Sequence, residues 1–287
     1  MQPGGRAAAH RGARVGVMIE AACPELRLPE EPFMPRTARA DRGGIYYHVM
    51  SRGNAKGTVF HDSSDYDAFV SIIGEAMTKR PTRLVAWCLM PNHFHLVAQP
   101  YTDGDLGAWM HWMLTTHVTR HRRRYDTTGR IWQGRFKCFP IQVDAHLLTV
   151  LRYVERNPLR ASLVAAVQDW PWCSLRARWT GASPLPLSEP PVPLPERWIA
   201  WVQTPLTEAE LAAVRGCARR EQPYGDDAWR RITSDRLSLE GRAVAPGRPR
   251  TIASDSPGTP HPGPRPAIDR PHGGTPRNVP PQELKGN

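Results

Sequence analysis

Long apolar runs are missing from this chain. None of its 287 residues falls in a stretch approaching 18 consecutive apolar positions, so no membrane-spanning helix is expected. The first residues also lack the apolar core of a secretory signal. Paired cysteines are missing too. Cys23, Cys88, Cys138, Cys173 and Cys217 are odd in number, far apart and free of any C-x-x-C spacing. That argues against a zinc ribbon or a disulfide framework and makes a reducing cytoplasm the expected location. Lysine is scarce, and Arg supplies most of the positive charge. The guanidinium fork suits phosphate recognition, although a GC-rich genome biases composition the same way. Acidic residues are outnumbered, leaving a formal net charge of +11 and a pI of about 10.0. That balance favours a polyanionic partner, nucleic acid ahead of a membrane surface, over a protein whose charge only aids solubility.

Proline is abundant, and with Gly it concentrates at the two ends and around residues 183–195. The expected organisation is a disordered or mis-called arm over 1–36 and a catalytic-sized domain over 37–180. A Pro-rich linker over 181–195, a small helical extension over 196–240 and a disordered basic tail over 241–287 follow. Met34 is a plausible alternative start.

The most informative stretch is residues 82–99, Thr-Arg-Leu-Val-Ala-Trp-Cys-Leu-Met-Pro-Asn-His-Phe-His-Leu-Val-Ala-Gln. Two apolar runs flank a Pro-Asn turn signal, which predicts two neighbouring strands. Strand residues two apart share a face, so His93 and His95 point one way and Phe94 and Leu96 the other. Two imidazoles side by side make half of a metal site; a structural histidine pair would look the same.

Around this stretch the pattern alternates between strand and helix. Ile45–Ser51 reads as a strand, and Arg52-Gly53-Asn54 as a turn with a cation at its mouth. Tyr66, Phe69, Val70, Ile73 and Met77 mark a helix over 64–79. A second helix over 104–125 carries Leu106, Trp109, Met110, Met113, Leu114 and Val118 as its core stripe, continued by His117 and His121. Arg120, Arg122, Arg123 and Arg124 crowd its last turn, where they can complement the helix dipole or grip phosphates. Gly129–Gln142 ends in another strand, with Arg135 and Lys137 alternating about Phe136 just after Trp132. Cations interleaved with aromatics suit a nucleic-acid surface, and equally a solvated strand face. Asp144 is placed to cap a third helix with Leu147, Val150, Leu151 and Val154 on its apolar side. Tyr153 and Asn157, four apart, stack at the margin of that stripe; a boundary tyrosine and a capping asparagine would account for them as well. Thr207 and Glu210 form a capping box for a helix in the extension. Gly247-Arg248-Pro249-Arg250 has the form of a short minor-groove arm, with Arg248 and Arg250 as its contacts. The DNA-facing candidates are therefore Arg52, Asn54, Arg120, Arg123, Trp132, Arg135, Lys137, Arg248 and Arg250.

Taken in order, the R-G-N turn, Met-Pro-Asn-His-Phe-His-Leu-Val, Trp-Gln-Gly-Arg-Phe-Lys and Arg-Tyr-Val-Glu-Arg-Asn-Pro-Leu-Arg-Ala-Ser-Leu-Val resemble the REP-associated tyrosine transposases, bacterial relatives of the single-tyrosine HUH transposases. The resemblance runs from about Tyr46 to Trp179. It is weaker over Pro223-Tyr224-Gly225, Trp229 and the Gly-Arg-Pro-Arg segment. Ser162 stands where a Gly is common and Arg156 where an apolar residue is common.

The resemblance implies an α+β, ferredoxin-like antiparallel sheet with helices packed on one face and the tyrosine helix beside it. It implies that His93, His95 and Asn157 hold Mg²⁺ or Mn²⁺ and that Tyr153 is the nucleophile. The implied activity is single-strand cleavage and strand transfer near a hairpin, through a 5′-phosphotyrosine. The implied partner is single-stranded or hairpin DNA, acted on by a monomer or a homodimer near the nucleoid. A catalytically silent hairpin binder, a water-using metal-dependent nuclease and an RNA-binding module are the competing readings.

Overall fold

The computed structural model describes residues 41–239. The N-terminal arm and the whole basic tail over 241–287, with Arg248 and Arg250, lie outside the described residues. Strands β1 (Tyr46–Arg52), β2 (Thr82–Met90), β3 (His93–Pro100) and β4 (Lys137–Ile141) form one sheet in the order β2-β3-β1-β4, antiparallel throughout. Helix α1 (Ser63–Lys79) joins β1 to β2, and α2 (Asp105–Tyr125) joins β3 to β4. This β-α-β-β-α-β order with split strand pairing is the ferredoxin-like arrangement.

Local chemistry explains the boundaries. Asp62 caps α1 by accepting from the Asp65 amide, and Asp144 caps α3 (Ala145–Glu155) by accepting from the His146 amide. The Pro91-Asn92 turn is held on both sides. Val59 and Phe60 donate to the Pro91 carbonyl, and Gly53 donates to that of Asn92.

Side chains alternate across the sheet as expected. Tyr47, Val49, Phe94 and Leu96 face α1 and α2, packing with Phe69, Ile73, Trp109 and Met113. His117 and His121 are buried within α2, as their place on its apolar stripe suggested. The opposite face is not left open. It carries α3, α4 (Asn157–Arg160) and α5 (Ser174–Thr180), then α6 (Trp198–Gln203) and α7 (Glu208–Arg220) of the C-terminal extension. Helix α8 (Asp227–Arg236) completes the described chain. Helices α1 and α2 cover one face, and the tyrosine helix with the helices that follow it covers the other.

The Thr207–Glu210 capping box forms with both reciprocal hydrogen bonds. The Pro-rich stretch 181–195 is tied down: Leu185 is buried in the α1–α2 side of the core, and the Ser188 amide donates to the Leu84 carbonyl of β2. One buried carboxylate joins the tyrosine-bearing helix to its surroundings. Glu155 accepts from Ser174 Oγ at 2.6 Å, Arg178 Nε at 3.0 Å and Trp198 Nε1 at 2.6 Å. Cys88, Cys138, Cys173 and Cys217 are buried and form no disulfide among the described residues. Among the described residues no helix is long and apolar enough to cross a membrane.

Candidate active site

Period-two geometry puts His93 and His95 on the face of β3 that looks toward α3. Pairing with β1 places His95 opposite Met50 and His93 opposite Arg52. Tyr153 projects from α3 into the same place. Its ring centroid is 5.7 Å from that of His95, and the two histidine rings are 5.0 Å apart at 90°. A cleft of about 990 Å³ opens over the three side chains. Tyr153 lies at its base, 8% exposed.

Each imidazole is oriented through its Nδ1. His93 Nδ1 lies 2.6 Å from Asn92 Oδ1, and His95 Nδ1 lies 2.9 Å from His48 Nε2. Asn92 is itself fixed, since its Nδ2 donates to the Lys56 carbonyl. Neither Nε2 has a hydrogen-bond partner among the described residues. Burial, reinforced by the charges of Arg52 and Arg160, lowers His93 to about 4. Burial first, then the neighbouring His48 and His93 and the same two arginines, holds His95 well below its ordinary value. Both rings are therefore neutral near pH 7, the state in which imidazole donates a lone pair to a metal.

Asn157 opens α4 and is fully buried. Its Oδ1 accepts from Arg160 Nη2, and its Nδ2 has no partner among the described residues. Arg160 also lies over the Tyr153 ring, 5.6 Å from its centroid, so one guanidinium braces both side chains. Among the described residues no three His, Cys, Asp or Glu side chains converge as a metal cage. The two imidazoles line the cleft, whereas Asn157, whose oxygen retains a second lone pair, is buried outside that lining. Two neutral imidazoles joined by a neutral amide oxygen would suit Mn²⁺ or Mg²⁺.

Of the DNA-facing candidates, Arg52, Arg135 and Lys137 line the cleft beside the histidines. Phe136 between the two β4-side cations is buried in the core, as strand alternation requires. Asn54 is exposed in a short 3₁₀ turn after β1 and does not line the cleft. Arg120 pairs instead with Asp65 at 2.9 Å, and Arg124 with Asp62 at 2.6 Å, so the end of α2 is bound to the start of α1. Arg123 lines a separate concavity on the outer face of α2, with His111 and Trp112. Trp132 must be corrected. It is 6% exposed, its ring packed against Phe60, Phe69, Phe94 and His117, and it cannot offer a stacking face to a base.

Several site residues escaped the sequence reading: His48, Asn92 in its supporting role, Arg160, and Arg215 and Arg219 of α7. Asn92 and Arg160 lie inside motifs that were noticed. His48 was visible only as a strand residue.

The domain family described as Transposase IS200 like matches residues 42–157. A Haemophilus influenzae protein named as a REP-associated tyrosine transposase is 30% identical over 146 residues, covering 46% of this chain and 80% of its own. An Escherichia coli REP-associated tyrosine transposase is 23% identical over 132 residues, covering 46% of this chain and 76% of its own. Among solved structures, a REP-associated tyrosine transposase bound to a REP hairpin aligns at 18% identity with a TM-score of 0.43, covering 61% of this chain and all of that one. A Deinococcus radiodurans transposase structure aligns at 17% identity and a TM-score of 0.31, covering 42% and 95%. With relatedness at this level across most of the Haemophilus protein, the chain belongs to the REP-associated tyrosine transposases.

Proposed function

We propose that this chain cuts and rejoins single-stranded DNA near a hairpin by attack of Tyr153 on a backbone phosphate. The observation that carries the reading is the meeting of Tyr153 with His93 and His95, from one and the same chain, in a cation-lined cleft. His93, His95 and Asn157 would hold a divalent cation, Mg²⁺ or Mn²⁺. When bound it supplies positive charge to the non-bridging oxygens of the scissile phosphate.

The protein's own groups do the rest. Arg52, Arg135 and Lys137 hold neighbouring phosphates, and Tyr153 faces the same cleft. Arg160 keeps the phenol ring in place through its cation–π contact. The phenolic oxygen forms a bond to phosphorus as the bond from phosphorus to the 3′ oxygen breaks. The phenol proton leaves to water, and the departing oxygen ends as a 3′-hydroxyl. The 5′-phosphotyrosine retains the phosphodiester's energy, so a second 3′-hydroxyl can displace the tyrosine without ATP.

A denaturing gel tests this. The full chain is incubated with labelled hairpin DNA bearing single-stranded flanks, with and without Mn²⁺. A metal-dependent shifted band that disappears in Tyr153→Phe is expected. Cleavage at wild-type rate in Tyr153→Phe would overturn the reading in favour of a water-using nuclease. Binding with neither band nor cleavage would overturn it in favour of a silent binder.

A further inference from the structure

The cleft has a second wall that no motif announced. Helix α7 of the C-terminal extension contributes Ala212, Arg215, Ala218 and Arg219 to the same lining as His93, His95 and Tyr153. Arg215 and Arg219 are one turn apart on one face of the helix, while Val214 and Cys217 anchor its other side in the core. The position of α7 over the site is set by backbone contacts. Tyr224, just beyond the helix, donates its amide to the Pro140 carbonyl of β4, and its carbonyl accepts from the Gln142 amide. Lys137 Nζ reaches the Arg219 carbonyl at 3.5 Å, bringing the β4 edge and α7 together.

Charge is unbalanced here. The cleft lining holds Arg52, Arg135, Lys137, Arg160, Arg215 and Arg219 and no Asp or Glu. Among the described residues none of these six makes an ion pair. Cations gathered without counter-charge repel one another, and that cost is offset when a polyanion enters. Some arginines elsewhere are neutralised internally, as Arg120, Arg124, Arg152 and Arg178 are, but among the described residues only the cleft gathers six unpaired cations around one cavity. The small alanines at 212 and 218 leave room between the walls.

We propose that α7 is the outer jaw of a two-sided channel for single-stranded DNA. Arg215 and Arg219 bind backbone phosphates next to the one presented to Tyr153, opposite Arg135 and Lys137. A strand passing between the two walls reaches Tyr153, which lines the same cleft and is 8% exposed. The matched transposase family region ends at residue 157, so this jaw lies outside it. The inference rests on the DNA reading above and adds a phosphate-binding surface to it.

The test is the salt dependence of binding by the full chain to a fluorescent single-stranded oligonucleotide, without metal. Each phosphate contact to a single strand contributes about 0.7 to the slope of log affinity against log salt. The Arg215→Ala/Arg219→Ala double variant is therefore expected to lose about 1.4 from the parent's slope. Arg215→Lys/Arg219→Lys should keep it, and Arg231→Ala on α8 should leave it unchanged. Circular dichroism melts verify that each variant is folded, as expected for exposed side chains. An unchanged slope in the folded double alanine variant, with a steep slope in the parent, would overturn the jaw alone. A parent with no salt-dependent affinity for single strands would overturn the DNA reading itself, and the jaw with it.

Discussion

His48 Nε2 sits 2.9 Å from His95 Nδ1, with His48 fully buried. Burial lowers His48 to about 3, so both rings are neutral and one proton lies between the facing nitrogens. Two arrangements are open. If His48 donates, His95 carries its proton on Nε2 and has no lone pair there for a metal. If His95 donates, its Nε2 is free, but His48 must then carry its proton on Nδ1, which has no partner. A metal on His95 Nε2 would select the second arrangement; His48 Nδ1 has no partner among the described residues in either one, as an acceptor in the first and a donor in the second.

His48 is accordingly a positioning residue for His95. His48→Leu removes the acceptor that favours the metal-competent tautomer, and Mn²⁺ affinity is expected to fall about 10- to 100-fold. Electron paramagnetic resonance titration of the DNA-free protein reads this directly. Unaltered affinity in a folded variant would show that packing alone orients His95.

Trp132 offers a clean separation between core and surface roles. Trp132→Ala is expected to cost about 3–5 kcal/mol of stability, measured by chemical denaturation. The salt slope for single-stranded DNA should stay that of the parent. A lost slope with intact stability would restore the stacking role that the fold denies it.

Glu155 tests how the tyrosine helix is held. It is fully buried, with three side-chain donors and an ion pair to Arg178, which is 15% exposed. Glu155→Ala leaves that guanidinium without its partner and should destabilise the protein by about 3–5 kcal/mol. Pairing it with Arg178→Met should cost less than the sum of the single changes. Additive urea-denaturation energies would show that the two residues act independently.

Acid stability provides a fourth expectation. His117, in the core between α1 and α2, is lowered to about 3 by burial first and then by the charge on His121. The unfolded chain takes up a proton near pH 6.5 and the folded one does not, so stability falls as pH drops below 6.5 and continues to fall toward 3. This one residue accounts for about 2 kcal/mol between pH 7 and pH 5. Replacing it as His117→Leu should flatten the dependence of the urea midpoint over that window. A dependence as steep as the parent's would place the acid sensitivity elsewhere.

What could be read from the sequence was what is decided locally. The alternation of His93, Phe94 and His95, the apolar stripe of α3 and the Thr207–Glu210 capping box depend on residues a few positions apart. What escaped was decided by distant contacts. His48 reaches His95 across a sequence separation of 47. Arg120 looked like a free cation because its partner Asp65 is 55 residues away. Trp132 sits among cations that do face solvent, but Phe60, Phe69 and Phe94 draw its ring inward. The family resemblance joined Tyr153 to the histidines when spacing alone could not, since α3 and β3 meet only in the folded sheet.

The amide and carbonyl row of β4 is partly taken by Tyr224, and that of β2 by Trp172 and Ser188, with Trp170 Nε1 and Arg178 also donating to β2 carbonyls. An uncovered outer strand is a template for pairing with another chain. Here the segments after the tyrosine helix occupy part of both margins, which hinders the recruitment of a strand from a second copy. On the β4 side the chain that follows α7 thereby guards the sheet edge as well as bounding the cleft. A truncation before Tyr224 would expose the β4 margin to that fate as well as opening the cleft.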